Sequence, residues 1–471
     1  MKNYLLAWRN LWRNRRRTMI TAASVLFAVF FALLMRSMQL GSYDHMFKNA
    51  IESYTGYIQI QHKDWWDDQT VDNSFTVTDS LRRKLESDKN VVTTIPRFES
   101  FALASVETKT KGVMVMGIDP DKENLLSKVK DKKVKYRITG EAVQEIENDD
   151  RLPEKTREVV SLFEDHSYTN AGRLLMDLKI NTDKKETYLP ILESHASFKN
   201  GDIRMGEPGV WLGDNLSRYL GMEIGDTLVL ISQGYHATTA AGKYEIKGIV
   251  KQPVPDVDSR VVYMPVDMAR QFYNAGQNLT SIAVHLEKND EKEVTETRAR
   301  LAEKLEEPLV VKDWKEMNEL LIQQMEADNK SGIIMIAILY LVIAFGVFGT
   351  ILMMTAERRR EMGVLVAIGM QKRKLAAVVS YEMIYIGIMG ILAGVALAIP
   401  FILYGQHNPI VFKGEMALMF EDYGFEPLLA FKSIDRYFLW QMAVVGLIVV
   451  ASLTYPLSRI FRLKVVNALK A

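Results

Sequence analysis

There is no cysteine among the 471 residues, which excludes a disulfide framework, a thiolate metal site and a cysteine nucleophile. The seven histidines, at 45, 62, 166, 195, 236, 285 and 407, are scattered, and no H-E-x-x-H pair is present to hold zinc. No G-x-S-x-G elbow and no G-x-x-x-x-G-K-[ST] loop occurs either. The nearest approach to the latter, AAGKY at 240–244, lacks the upstream glycine and the hydroxyl residue that cradle phosphate and magnesium. No catalytic residue and no metal ligand set is therefore expected, and any ATPase must reside on another chain. An excess of one charge sign is missing as well: 59 Lys and Arg meet 58 Asp and Glu, for a net charge of +1. With 48% hydrophobic and 25% charged residues, the composition excludes a disordered tail, a collagen-like repeat and a strongly basic nucleic-acid binder.

The averages conceal a segregation. Four apolar runs, 19–35, 332–354, 375–404 and 437–455, contain a single charge, Glu382. A helix needs about 20 apolar residues to cross a hydrocarbon core of about 30 Å, so the runs read as four membrane spans. The first follows arginines in the manner of a signal peptide. It continues through Phe30, Phe31, Leu33, Leu34 and Met35 without an Ala-x-Ala site, so a retained helix is expected. Basic residues concentrate on one side. Lys2, Arg9, Arg13, Arg15, Arg16 and Arg17 precede the first run; Arg358, Arg359, Arg360, Lys372, Arg373 and Lys374 separate the second from the third; Arg459, Arg462, Lys464 and Lys470 follow the last. Only Glu357 and Glu361 accompany them. The positive-inside rule places these segments, and both termini, in the cytoplasm.

The fold expected is a polytopic α-helical membrane protein with four transmembrane helices and a large α+β extracytoplasmic domain between helices 1 and 2. Its segments are an interfacial helix 1–17, spans 18–40, 332–354, 375–404 and 437–456, an outer domain 41–331, a cytoplasmic segment 355–374, an outer loop 405–436 and a tail 457–471. In the first segment Tyr4, Leu5, Trp8, Leu11 and Trp12 fall at helical spacing, suited to a helix lying in the headgroup zone. The outer domain shows strand-like runs at 56–61, 112–118, 227–232, 244–250, 261–265 and 281–286, with helices expected at 214–220, 267–275 and 290–305. The charged stretch 121–187 reads as a helical or loop-rich insertion. Before the second span, Trp314, Met317, Leu321 and Met325 line one stripe, which fits a helix continuing into the membrane as a stalk, an amphipathic helix packed on the outer domain, or both. The loop 405–436 is too long for a tight turn and is expected to pack on the outer domain.

The segment ERRREMGVLVAIGM, from Glu357, opens with a mixed charge cluster and continues with Met362, Val364, Leu365, Val366 and Ile368, interrupted by Gly363 and Gly369. It is too polar to span and too apolar for a free loop. Docking in the cytoplasm and anchoring to anionic headgroups both fit. This segment closely resembles the signature of the FtsX-like permease family, the membrane subunits of type VII ABC systems that include the lipoprotein-release permeases of the LolC/LolE group and the MacB-type exporters. LAWRNLWRNRRRTMIT resembles that family's start and YPLSRIFRLKVVNALKA its ending, with the permease region at 332–471. TGYIQIQ, GVMVMGIDP, GVWLGDNLSRYLGMEIGDTLVL and YEIKGIV followed by VVYMP resemble the MacB-like periplasmic domain of the lipoprotein-release group.

The resemblance implies an inner-membrane half-transporter that pairs with a second permease, identical or paralogous, and with two ABC ATPase subunits that bind ATP and magnesium; no cofactor is expected in this chain. Glu357, Arg358, Arg359, Arg360, Glu361, Gly363, Leu365, Ala367 and Gly369 would form the element coupled to the ATPase. A lipoprotein substrate and a periplasmic carrier are the implied partners, with Val25, Phe27, Phe30, Phe31 and Met35 as candidate lining of an acyl-chain cavity. Glu382 fits either structural pairing, with a nearby lysine or the headgroup zone, or a role in coupling or substrate passage. Two other outputs stay open: the same machine exporting a small amphiphile or activating a cell-wall enzyme, and a membrane receptor.

Overall fold

The computed structural model describes residues 3–13, 15–106, 108–412, 416, 419–420 and 428–463. The chain forms two compact units, one comprising 1–45, 321–411 and 428–471, the other 46–320 with 412–427.

The first unit is helical: α1 (Asn3–Arg13), α2 (Arg15–Ala50), α3 (Glu319–Glu357), α4 (Arg359–Ala367), α5 (Lys372–His407), α6 (Arg436–Ser452) and α7 (Thr454–Phe461). Among the described residues four helical stretches, Thr18–Thr55, Glu319–Glu357, Lys372–His407 and Arg436–Phe461, are long and apolar enough to cross a membrane. Each contains one of the four apolar runs, and the protein is a membrane protein. Val25, Val29 and Leu33 of α2, Met383, Ile386 and Ile402 of α5, and Val445 and Val449 of α6 form the core between the spans. Lipid offers helices no hydrophobic incentive to associate, so close approach at small residues replaces it. A Cβ at Gly390 would lie 2.6 Å from Val25 Cβ and 2.8 Å from Ala22 O. One at Gly394 would lie 2.7 Å from Leu26 O, and one at Gly387 2.8 Å from Val449 Cγ1. Three glycines on α5 thus let α2 and α6 approach.

α1 presents a narrower stripe than its sequence suggests. Leu11 is buried with Ala7, whereas Tyr4, Leu5, Trp8 and Trp12 are exposed. Trp8 meets Tyr385 edge-on at 5.7 Å, so one aromatic both faces outward and braces α5. Most of 413–427, and with it the expected packing of the 405–436 loop, lies outside the described residues, as do Lys464 and Lys470. On the described flank, Ser37 Oγ donates to Lys432 O at 2.9 Å.

The second unit is built on nine strands: β1 (Ile58–His62), β2 (Val91–Val106), β3 (Lys109–Ile118), β4 (Val210–Gly213), β5 (Thr227–Gln233), β6 (Thr239–Val250), β7 (Val261–Pro265), β8 (Ser281–Leu286) and β9 (Leu309–Asp313). Their order is β9-β1-β8-β2-β3-β7-β4-β6-β5. The far end of β2 also pairs with β5, Leu103 opposite Ile231. β2 to β5 therefore close a six-strand ring, and β8, β1 and β9 extend from it. Most strands are antiparallel, but β7–β3 and β4–β6 are parallel. Ala102, Ala104, Val113, Leu212, Leu230 and Val262 belong to the core cluster.

The six expected strand runs are all present. The longest strand, β2, was not anticipated, because VVTTIPRFESFALASV carries Pro96, Arg97 and Glu99 where a strand interior is normally apolar. The structure supplies the reason. Arg97 is fully buried, and its Nε and Nη2 donate to the two carboxylate oxygens of Glu123 at 2.9 and 2.6 Å. This is the bidentate geometry that makes a buried charge tolerable.

Glu123 lies on the helix Pro120–Ser127, so the first part of the charged stretch belongs to the main domain. A separate core, including Ile138, Val143, Phe163, Leu174 and Leu192, holds the remainder together and extends to Ala196. This insertion is anchored at Asp214, which accepts from Arg137 Nη2 at 2.6 Å and Ser167 Oγ at 2.7 Å. Asp214 opens the helix Asp214–Leu220, whose first amides are held by Asp258: Asn215 N donates to Oδ2 at 2.8 Å. Burial, reinforced by Asp214, pushes the Asp258 carboxyl up to about 7. The fit leaves no room at Gly213, where a Cβ would stand 1.9 Å from Asp258 O.

Candidate functional site

The ERRRE segment does not run straight out of the membrane. α3 ends at Glu357, Arg358 adopts a non-helical conformation (φ −89°, ψ 5°), and α4 begins at Arg359. α4 is stopped by a Schellman motif: Gly369 takes φ +100°, its amide donates to Val366 O at 3.1 Å, and Met370 N donates to Leu365 O at 3.0 Å. Gly369 earns its place here, since a side chain at that φ is strained.

α4 divides its apolar residues between two faces. Met362 and Val366 pack with Leu375, Ala376 and Val379 of α5 and Ile460 of α7. Val364, Leu365 and Ile368 point away, at 43%, 37% and 76% exposure. Ala367, Arg359, Arg360, Glu361 and Gly369 share the exposed surface. Gly363 does not: it is buried with Met362, so of the expected coupling residues it serves the inward packing, not the outward surface. Val364 and Ile368 complete that surface; their i, i+4 spacing, out of phase with Met362 and Val366, was the available signal.

At the start of α4 a polar network joins three helices, α1, α4 and α5. Glu382 on α5, almost fully buried, accepts from Arg358 Nη1 at 2.5 Å and from Asn10 Nδ2 on α1 at 2.7 Å. Arg358 Nε donates to Glu361 Oε2 at 3.4 Å, and Glu361 also pairs with Arg13 Nη2 on α1 at 3.1 Å. The intramembrane carboxylate is thus neutralised by an arginine, not a lysine, and Asn10 and Arg13 join the site from outside the signature. Lys372 Nζ closes the other end of the segment, donating to Phe461 O at the end of α7.

The five candidate cavity residues on α2 do not form one surface. Val25 is buried beneath Gly390 and is a packing residue, a correction to its expected lining role. Phe27 and Phe31 are exposed and stack at 6.1 Å. Phe30 is half-buried with its ring against Phe401 at 5.5 Å, and Met35 is half-buried.

In the second unit the two segments that lead to the first and second spans are stitched together. Asn318 Nδ2 donates to Thr55 Oγ1 at 3.3 Å, Trp314 N donates to Tyr57 O at 2.9 Å, and the Phe47 and Trp314 rings meet at 5.3 Å. Arg97 Nη1 donates to Tyr54 O at 2.5 Å, fixing the same junction to the buried ion pair. The expected stalk stripe is interrupted: Trp314 and Met317 lie on a one-turn helix, Trp314–Met317, closed by an Asp313–Glu316 capping box, and Leu321 and Met325 lie on α3. Among the described residues no group of three His, Asp or Glu could hold a metal ion.

Residues 333–465, which contain α4 and its network, match the FtsX-like permease C-terminal family. This part of the chain is an FtsX-like permease domain. Two curated relatives are lipoprotein-releasing system transmembrane proteins LolC of Xylella fastidiosa. The Temecula1 protein is 25% identical over 222 residues, 45% of this chain and 52% of the relative; the 9a5c protein is 25% identical over 204 residues, 41% and 47%. The chain spans about half the length of the curated relatives it matches. Two solved structures align with a TM-score of 0.29 and 12% identity each. The extracellular domain of the noncanonic ABC-type transporter YknZ from Gram-positive bacteria covers 55% of this chain and 100% of its own, and the periplasmic region of MacB from Actinobacillus actinomycetemcomitans covers 59% and 97%.

Proposed function

We propose that this chain is the permease subunit of an ATP-driven transporter that extracts lipoproteins from the inner membrane for transfer towards the outer membrane. In this reading both termini and α4 are cytoplasmic and the 46–320 domain is periplasmic. Two partner ATPases bind ATP and magnesium, and a second permease, identical or paralogous, completes the membrane part. The observation that carries the reading is the exposed apolar face of α4, Val364, Leu365 and Ile368, held at fixed orientation by its buried face and by the Arg358–Glu382 pair. Apolar residues projecting from a rigid helix beside the membrane are expensive to leave in water, and a partner ATPase covers them. Closure of the ATPases then pushes α4, which passes the stroke through Arg358 to α5 and α1, and through the spans to the 46–320 domain. Lipoprotein cargo is supported by the resemblance to the two LolC proteins. The aromatic cluster Phe27, Phe30 and Phe31 would meet the acyl chains, and a periplasmic carrier would receive the product.

The test has two parts. Ile368→Asp in the full chain is expected to abolish co-purification of an ABC ATPase while leaving the chain in the membrane. Depletion of the chain is expected to leave mature lipoproteins in the inner membrane. An ATPase retained by the Ile368→Asp chain would refute the docking surface, and lipoprotein sorting unchanged on depletion would refute the cargo.

A further inference from the structure

A cavity of about 720 Å³ opens between the start of α4 and α7. Arg359, Arg459 and Arg462 all line it, and among the described residues no carboxylate does. Arg459 is oriented by Tyr455: its Nε donates to Tyr455 Oη at 3.0 Å, and its guanidinium lies 5.4 Å from that ring's centroid. The floor is apolar, with Met362 and Ile460 buried beneath it. The signature motif contributes only one of the three arginines; the fold brings it to two others about a hundred positions further along the chain.

The depth of the cavity in the sequence pattern identifies what it faces. Thr355 follows the last residue of the 332–354 run, and Tyr455 ends the 437–455 run, so the cavity opens where hydrocarbon gives way to headgroups. Three arginines lining one cavity that no carboxylate of the described residues shares form a cationic site, and a phosphate oxyanion can accept from two or three guanidinium groups there. At this level the available phosphate belongs to a lipid. Apolar side chains exposed on the neighbouring turn of α3, Leu352 and Met353, offer a surface for the chains below it.

We propose that this cavity binds the phosphodiester headgroup of an anionic phospholipid from the leaflet on the basic side of the protein. Retention of lipid by the purified full chain tests it, read by native mass spectrometry after equilibration with mixed micelles of phosphatidylglycerol and phosphatidylcholine. The expected result is one phosphatidylglycerol retained per chain and no phosphatidylcholine. Arg459→Gln with Arg462→Gln lowers retention by at least about tenfold, as loss of two charge-assisted hydrogen bonds requires. Arg459→Lys with Arg462→Lys gives intermediate retention, which separates charge from a failure to fold. Arg15→Gln with Arg373→Gln, which removes equal charge elsewhere on the same side, leaves retention unchanged. Equal loss in that control pair, equal retention of phosphatidylcholine, or displacement of the lipid by millimolar inorganic phosphate would overturn the lipid assignment. Protection of Arg459 from modification by an added ATPase in lipid-free detergent would assign the cavity to a protein and overturn it too.

Discussion

Removing Arg358 while leaving Glu382 in place tests whether α4 is mechanically tied to the spans. The Arg358 and Glu382 side chains are 13% and 3% exposed, and Nη1 lies 2.5 Å from Oε2. In Arg358→Met the carboxylate keeps, among the described residues, the Asn10 amide as its side-chain donor, in a site too buried for water to replace what is lost. Breaking one side of a buried pair costs about 3–5 kcal/mol; because this pair sits near the end of its span, the lower value, about 3 kcal/mol, is expected. Removing both charges relieves the stranded carboxylate, so Arg358→Met with Glu382→Leu should recover at least about 2 kcal/mol of the loss. The assay is unfolding of the full chain in detergent, followed by tryptophan fluorescence, for both singles and the double. Arg360→Met, an exposed neighbour, serves as the reference and should change stability by less than about 0.5 kcal/mol. If Arg358→Met behaves like Arg360→Met, or if the single effects simply add in the double, the network carries no coupling and the argument fails.

Three further outcomes are expected. Gly390→Ala places a Cβ 2.6 Å from Val25 Cβ and should destabilise the helical unit by about 1–3 kcal/mol, whereas Gly346→Ala, with nothing within 4 Å, should be neutral or stabilising in the same unfolding measurement. Gly369→Ala forces a Cβ into φ +100° with open space around it, at about 1–2 kcal/mol. Hydrogen exchange should then quicken at the end of α4 while the spans stay protected. Burial acts to lower the His195 pKa, but hydrogen bonds to Asp149 and Glu145, each at 2.9 Å, outweigh it and raise the pKa above 6.5. That contribution is complete below about 6.5 and fades as pH rises through the higher folded value. The protection that His195→Gln removes from the helix Lys185–Ala196 should therefore be larger at pH 6 than at pH 8.5, by hydrogen exchange.

The spans were legible because lipid permits no alternative: a run such as 332–354 has no other physical use. Strands β7 and β8 were legible for a similar reason, as largely apolar stretches enclosed in a sheet. β2 was not, since its polarity makes sense only once Glu123, 26 residues from Arg97, is folded beside it. The same limit applied to the site. ERRREMGVLVAIGM pointed to an apolar helix beside the membrane, yet only the positions of Leu375, Val379 and Ile460 decide that Met362 faces inward and Ile368 outward. Asn10 and Glu382 lie 372 positions apart, and no local pattern records such a meeting. The aromatic set on α2 shows the converse: Val25 had the right chemistry for a cavity, but Gly390 makes it a contact between helices.

The stem of the insertion has a consequence for how this chain can vary. Val134 N donates to Ile249 O at 3.0 Å and Phe198 N to Lys135 O at 2.8 Å, and Asn200 Nδ2 bridges the carbonyls of Val134 and Ile249 at 3.0 and 2.6 Å. The polypeptide therefore leaves the main domain and returns to it at adjacent points, with its own small core in between. A short linker closes such a gap at little entropic cost. The insertion is in effect a looped-out subdomain, entered and left through one stem and clamped to the sheet domain at Asp214.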